Sequence, residues 1–106
     1  MIILLIAISN IFSNKLEILL KLKPDMPSTT NTQIHFIDVG QGDAIAINFS
    51  NGKTMLVDSG TEDYREKLIN YLDNVVLKEH RKIDYLVLTH PDSDHSSNMS
   101  YIVNHY

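Results

Sequence analysis

With 106 residues, 43% of them hydrophobic, and a formal charge of -4, the chain has an ordinary globular composition and room for one small domain, which excludes a large enzyme. It contains no cysteine, so disulfide scaffolds and thiolate zinc sites are ruled out. The basic patch of a dedicated DNA binder is missing, although a bound divalent pair would add about four positive charges to a cleft and leave phosphate substrates open.

Met1 to Phe12 is apolar apart from Ser9 and Asn10. The run stops at roughly 12 residues, where a spanning helix needs about 20. No basic residue precedes it, while Ala7-Ile8-Ser9 has small residues at cleavage-like spacing. It reads either as an anchor or signal, or as a buried or partner-bound helix. Leu16, Ile18, Leu19, Leu20 and Leu22 extend the strip, so residues 1–23 are expected to form one apolar helix. Membrane contact through residues 1–22 would favour a membrane-associated or exported chain over a freely cytoplasmic one. Pro24, Pro27 and the run Ser28 to Thr32 mark residues 24–33 as a linker, and the domain proper occupies 34–106.

Ile34 to Val39 and Ala44 to Phe49 are rich in β-branched and aromatic residues and predict two strands. Asn51-Gly52 suits a type I′ hairpin turn, with Thr54 to Val57 as the returning strand. Tyr64, Leu68, Tyr71, Leu72, Val75 and Val76 share one face of a helix expected over 62–79. Asp63 and Glu66 have capping-box spacing at its start. Ile83 to Thr89 reads as a further strand. Ser96 to Tyr106 offers Met99, Ile102 and Val103 at helical spacing behind a serine cap. The order β-β-β-α-β-loop-α predicts an α/β (α+β) domain.

The loop after the last strand holds His90, Asp92, Asp94 and His95 within six positions. Imidazole nitrogens and carboxylate oxygens bind divalent cations, and ligands this close on a loop converge without further folding. The competing reading is a solvated Asp, Ser and Pro turn. His35, on a strand, is expected to be satisfied by a core hydrogen bond, and His80 and His105 to lie at the surface. Tyr64, Tyr71, Tyr85, Tyr101 and Tyr106 are spread over several elements and read as core edges, not a stacking platform for bases.

Three segments carry a resemblance. Phe36 to Ala44 resembles the DVGQGDA signature of the hydrolase-like domain in ComEC-type DNA-uptake competence proteins, Leu56 to Gly60 resembles the first motif of the metallo-β-lactamase superfamily, and Thr89 to His95 resembles its main metal motif. Their order and spacing also match, over roughly residues 34–98. The usual metal motif is His-x-His-x-Asp-His. Asp92 stands here at the second His position, as it often does in the ComEC-like group. Ser97 and Asn98 stand where the family commonly has a glycine pair.

The resemblance implies two divalent ions, with His90 and Asp92 on the first and Asp94 and His95 on the second. Asp92 adds a hard oxygen donor, which brings Mn²⁺ or Mg²⁺ into competition with Zn²⁺. Asp94 would be the catalytic residue that orients the attacking water, Asp58 would support the ligand loop, and Gln41 and Asp43 would line the site. The implied activity is metal-dependent hydrolysis of a phosphodiester, with DNA as substrate in a competence-type role. Thioester or lactam hydrolysis on the same scaffold is the sister chemistry.

Complete domains of this superfamily are about twice as long and supply further His and Asp ligands downstream. The chain is therefore expected to be the N-terminal half of an incomplete metallo-β-lactamase fold, one half-sheet with flanking helices. It would need the missing C-terminal half, a complementing chain or a dimer partner. The alternative is a truncated non-catalytic remnant or a membrane-associated binding module.

Overall fold

The computed structural model describes residues 11–12 and 31–106. The apolar helix expected over 1–23 and the linker through residue 30 lie outside the described residues, apart from Ile11 and Phe12. Among the described residues, no helix is long and apolar enough to cross a membrane.

Short runs of β-branched and aromatic residues build one four-stranded sheet: β1 (Gln33–Phe36), β2 (Ile45–Asn48), β3 (Thr54–Val57) and β4 (Tyr85–Val87), in that spatial order. β1 and β2 pair antiparallel, as do β2 and β3, while β3 and β4 are parallel. The strands are shorter than the apolar runs suggest. Ile37 and Val39 lie beyond the end of β1 yet stay buried, and Ile37 N still donates to Ala44 O at 2.9 Å.

The β2–β3 connection is a hairpin, but not of type I′. That turn needs positive φ at both central residues. Gly52 has φ of 82°, whereas Asn51 does not have positive φ. Gly52 N instead donates to Phe49 O and Phe49 N to Lys53 O, each at 2.9 Å. This is the longer loop, in which one left-handed glycine follows an ordinary turn. Asn51 Oδ1 accepts from Lys53 N at 3.1 Å, a local bond that holds Asn51 in place.

A parallel β3–β4 pair needs a crossover, and the helical segment supplies it. Where the sequence suggests one helix over 62–79, the chain forms a 3₁₀ turn (Glu62–Tyr64), α1 (Arg65–Tyr71) and a π-helical turn (Leu72–Val76). Leu77 N donates to Leu72 O at 2.7 Å, closing the wide turn. The extra residue rotates the apolar stripe. Leu68, Leu72, Val76 and Leu77 are buried, while Tyr64 and Val75, expected on the same face, are exposed. Asn48 Nδ2 satisfies the Val76 carbonyl at 3.0 Å. The expected capping box is absent; the N-cap is Thr61, with no side-chain capping bond.

The C-terminal helix is likewise divided, into α2 (Ser93–Ser96) and α3 (Met99–His105). Ile102 faces the core, and Val103, expected beside it, is 68% exposed. Ser97 and Asn98 both have negative φ, so the junction makes no demand for glycine.

The two faces of the sheet differ. In register across the strands, His35, Ala46, Leu56 and Leu86 look toward the helical layer, where Leu68, Leu72, Val76, Leu77 and Ile102 complete the core. Burying each large aliphatic contributes roughly 1.5–3 kcal/mol of transfer free energy. His35 Nδ1 lies 3.2 Å from Tyr71 Oη, the core hydrogen bond expected for it, while its Nε2 is buried without a partner among the described residues. The opposite face carries Ile34, Ile47, Met55 and Tyr85 in one row and Phe36, Ile45, Val57 and Val87 in the next. It contains no charged residue, and Phe36 is 79% exposed.

Candidate metal centre

The ends of β3 and β4 are adjacent in the parallel pair, and the loops leaving them meet. Asp58, directly after β3, is buried in the left-handed region with φ of 57°, a conformation that aspartate tolerates better than most residues. Both of its carboxylate oxygens accept hydrogen bonds. Oδ1 accepts from Thr89 N at 2.8 Å, and Oδ2 accepts from Thr89 Oγ1 at 2.6 Å and His95 Nδ1 at 2.9 Å. Burial raises the Asp58 pKa, but the two Thr89 hydrogen bonds and His95 outweigh it, so the net shift is downward and the group is ionised.

The hydrogen bonds fix which ring nitrogens carry protons. An ionised carboxylate only accepts, so His95 Nδ1 bears the hydrogen and Nε2 is left for a ligand. Thr89 Oγ1 gives its proton to Asp58, so it accepts from His90 Nδ1, 3.0 Å away. His90 therefore also presents Nε2. The two rings lie 3.9 Å apart between centroids. The His95 pKa is raised, chiefly by the Asp58 hydrogen bond; burial opposes this, while the charges of Asp94, Asp58 and Asp43 add to it.

One ligand atom from each of His90, Asp94 and His95 falls within a common 4.8 Å. A second group, Asp43, Asp58 and His95, meets the same limit. Asp58 Oδ2 already accepts from Thr89 and His95, so in this arrangement Asp58 backs His95, the residue that the two groups share. Two imidazoles and a carboxylate suit a divalent first-row ion, and the Asp58 backing of His95 is the usual companion of a metal-bound imidazole. The residues present fit a metal.

Of the residues singled out in the sequence, His90, Asp94 and His95 are brought together, with Asp58 behind them. Asp92 joins neither group of three; its carboxylate lies 3.6 Å from His90 Nε2 and is mostly exposed. Asp43 lies 3.9 Å from His95 Nδ1. Gln41 lines an open cleft of about 460 Å³ with Thr61, Asp92, Ser93 and Asp94. Gly42 matters here, because with φ of 93° it lies so close to the Asp94 carbonyl that a Cβ would collide with it.

Sequence reasoning missed Thr61 and Ser93 in the cleft, and the roles of Thr89, Ser59 and Asn98. Thr89 had a visible signal, a hydroxyl directly before the first histidine. Ser93 stood between Asp92 and Asp94, and Asn98 stood out as a departure from glycine, but the partners of Ser59 and Asn98 lie more than 30 residues away.

A family model described as Lactamase_B, the metallo-beta-lactamase superfamily, matches residues 37–106. No curated protein and no solved structure matches the chain.

Proposed function

Because the chain belongs to the metallo-β-lactamase superfamily, whose metal-dependent hydrolases set the coarse class, we propose that it forms the metal-binding half of a phosphodiesterase acting on DNA. The observation that carries the reading is the convergence of His90, Asp94 and His95, with Asp58 holding one imidazole. A bound divalent pair, Zn²⁺ or Mn²⁺, would supply Lewis acidity, making hydroxide available near neutral pH and offsetting charge on the scissile group. His90 and His95 would hold the metal through Nε2. Asp94, which also lines the cleft, would accept a hydrogen bond from the attacking water and orient it. Asp58 would keep His95 in its Nδ1-protonated form. Gln41, Thr61 and Ser93 would donate hydrogen bonds to the substrate.

The DVGQGDA-like segment supports a phosphodiester over a thioester or lactam, and a competence-type role in DNA uptake. The apolar sheet face that carries the exposed Ile34 and Phe36, uncovered among the described residues, supports the need for a complementing half, since sheets of this composition bury both faces. Such a half would also add ligands for the second ion.

The test is metal-dependent cleavage of a phosphodiester by a longer chain that includes a C-terminal continuation, or by this chain with that half added. Activity should require Zn²⁺ or Mn²⁺ and fall at least 100-fold with Asp94→Ala or His95→Ala. Activity unchanged in those variants would overturn the proposal.

A further inference from the structure

Asn98 is 1% exposed, and its side chain is engaged at both ends. Nδ2 donates to the carbonyls of Ser59 at 2.7 Å and Thr61 at 2.8 Å, with Gly60 O at 3.4 Å. Oδ1 accepts from Arg65 Nε at 2.8 Å. The partners fix this amide orientation, because carbonyls only accept and a guanidinium only donates. Asn98 N also donates to Ser59 Oγ at 3.1 Å, and Ser59 Oγ donates to His95 O at 3.0 Å. Ser59 N reaches the same carbonyl at 2.8 Å, and Gly60 N donates to Asp43 O at 2.9 Å.

One buried amide thus ties segment 59–61, directly after Asp58, to the junction of α2 and α3, directly after the ligand loop. A glycine at position 98 would leave three carbonyls facing an empty space. Ser59 Oγ cannot replace the donor, because it already spends its proton on His95 O.

We infer that Asn98 is a positioning residue for the metal centre: by locking Ser59–Thr61 to the α2–α3 junction it holds Asp58 against His95, and so selects the imidazole nitrogen that faces an incoming divalent ion. The inference rests on the proposed function for its metal, but its effect on His95 exists in the metal-free chain. The lock acts through Ser59 and reaches His95 by two routes, one through the His95 carbonyl and one through the Asp58 carboxylate.

The experiment compares the full chain with Asn98→Asp and Ser59→Ala. Asn98→Asp keeps the acceptor for Arg65 but turns the donor into an acceptor facing carbonyls. Ser59→Ala removes only the bridging hydroxyl, and it carries the test if Asn98→Asp does not fold. Two readouts are taken: the ¹⁵N chemical shifts of the His95 imidazole in metal-free protein at alkaline pH, and Zn²⁺ affinity by calorimetry. Ile102→Ala, a core truncation in α3, controls for general loosening.

In the parent, His95 should show a protonated Nδ1 and a bare Nε2. Both variants should move these shifts toward the tautomer average, and Zn²⁺ affinity should fall about 10-fold or more, the range seen when groups behind a ligand are removed. Ile102→Ala should lower the unfolding temperature and leave the His95 shifts in place. Folded variants with parental shifts and affinity within twofold would overturn the inference, as would an equal shift change in Ile102→Ala. A parent that binds no Zn²⁺ rejects the proposed function instead, and the metal-free shifts still decide the role of Asn98.

Discussion

At the scale of single residues, carboxylates that accept backbone hydrogen bonds organise this domain. Asp58 gathers Thr89 and His95, and Asp84 does similar work at the other end of β3. Asp84 Oδ2 accepts from Thr54 N at 2.9 Å, and Oδ1 pairs with Lys82 Nζ at 2.9 Å. The Asp84 pKa is lowered, first by the Thr54 hydrogen bond and then by Lys82, and that of Asp58 is lowered as well. A carboxylate depressed in the folded state contributes stability above its unfolded pKa, about 3.9, which is lost as pH falls through the folded value. The contribution of these two aspartates should therefore be level at neutral pH and fall below about pH 4, whereas the raised His95 pKa adds stability that is lost as pH rises beyond about 6.5. Asp84→Asn should cost about 1 kcal/mol at pH 7. That deficit should shrink toward zero under strong acid. Urea unfolding at several pH values measures it, and a deficit that stays constant down to strong acid would contradict the assignment.

At the scale of elements, the four strands, their β-β-β-α-β order and the ligand loop were legible because they rest on local pattern: β-branched runs, a glycine turn and closely spaced His and Asp. What was not legible rests on tertiary choice. The turn at Gly52 differs from the type I′ expectation because Asn51 satisfies its neighbour's N–H and needs no positive φ. The π-helical turn has no periodic signature, since Val75 and Val76 are equally apolar and only packing selects Val76 for the core. The departure from glycine at position 98 was visible, whereas its purpose depends on carbonyls 37 to 39 residues away. Leu72 begins the π turn and is fully buried. Leu72→Ala should destabilise the domain by about 2–5 kcal/mol, through lost transfer energy and the cavity left behind. Chemical denaturation measures this, and a loss below about 1 kcal/mol would mean that the π turn does not pack as described.

At the scale of the whole molecule, helices among the described residues cover one side of the sheet, and the other side is apolar, with Ile34 and Phe36 exposed on it. The metal centre lies at the strand ends, where loops from β3 and β4 meet, so the same residues that end the ladder begin the chemistry. Three convergent side chains among the described residues, His90, Asp94 and His95, are enough to hold one ion. If His90, Asp94 and His95 bind a divalent ion, zinc-edge X-ray absorption of the chain loaded with one equivalent of Zn²⁺ should show two imidazole nitrogens at about 2.0–2.1 Å, with carboxylate or water oxygens completing the shell. One nitrogen should be lost in each of His90→Ala and His95→Ala. A shell of oxygens alone, or one unchanged in those variants, would contradict this binding.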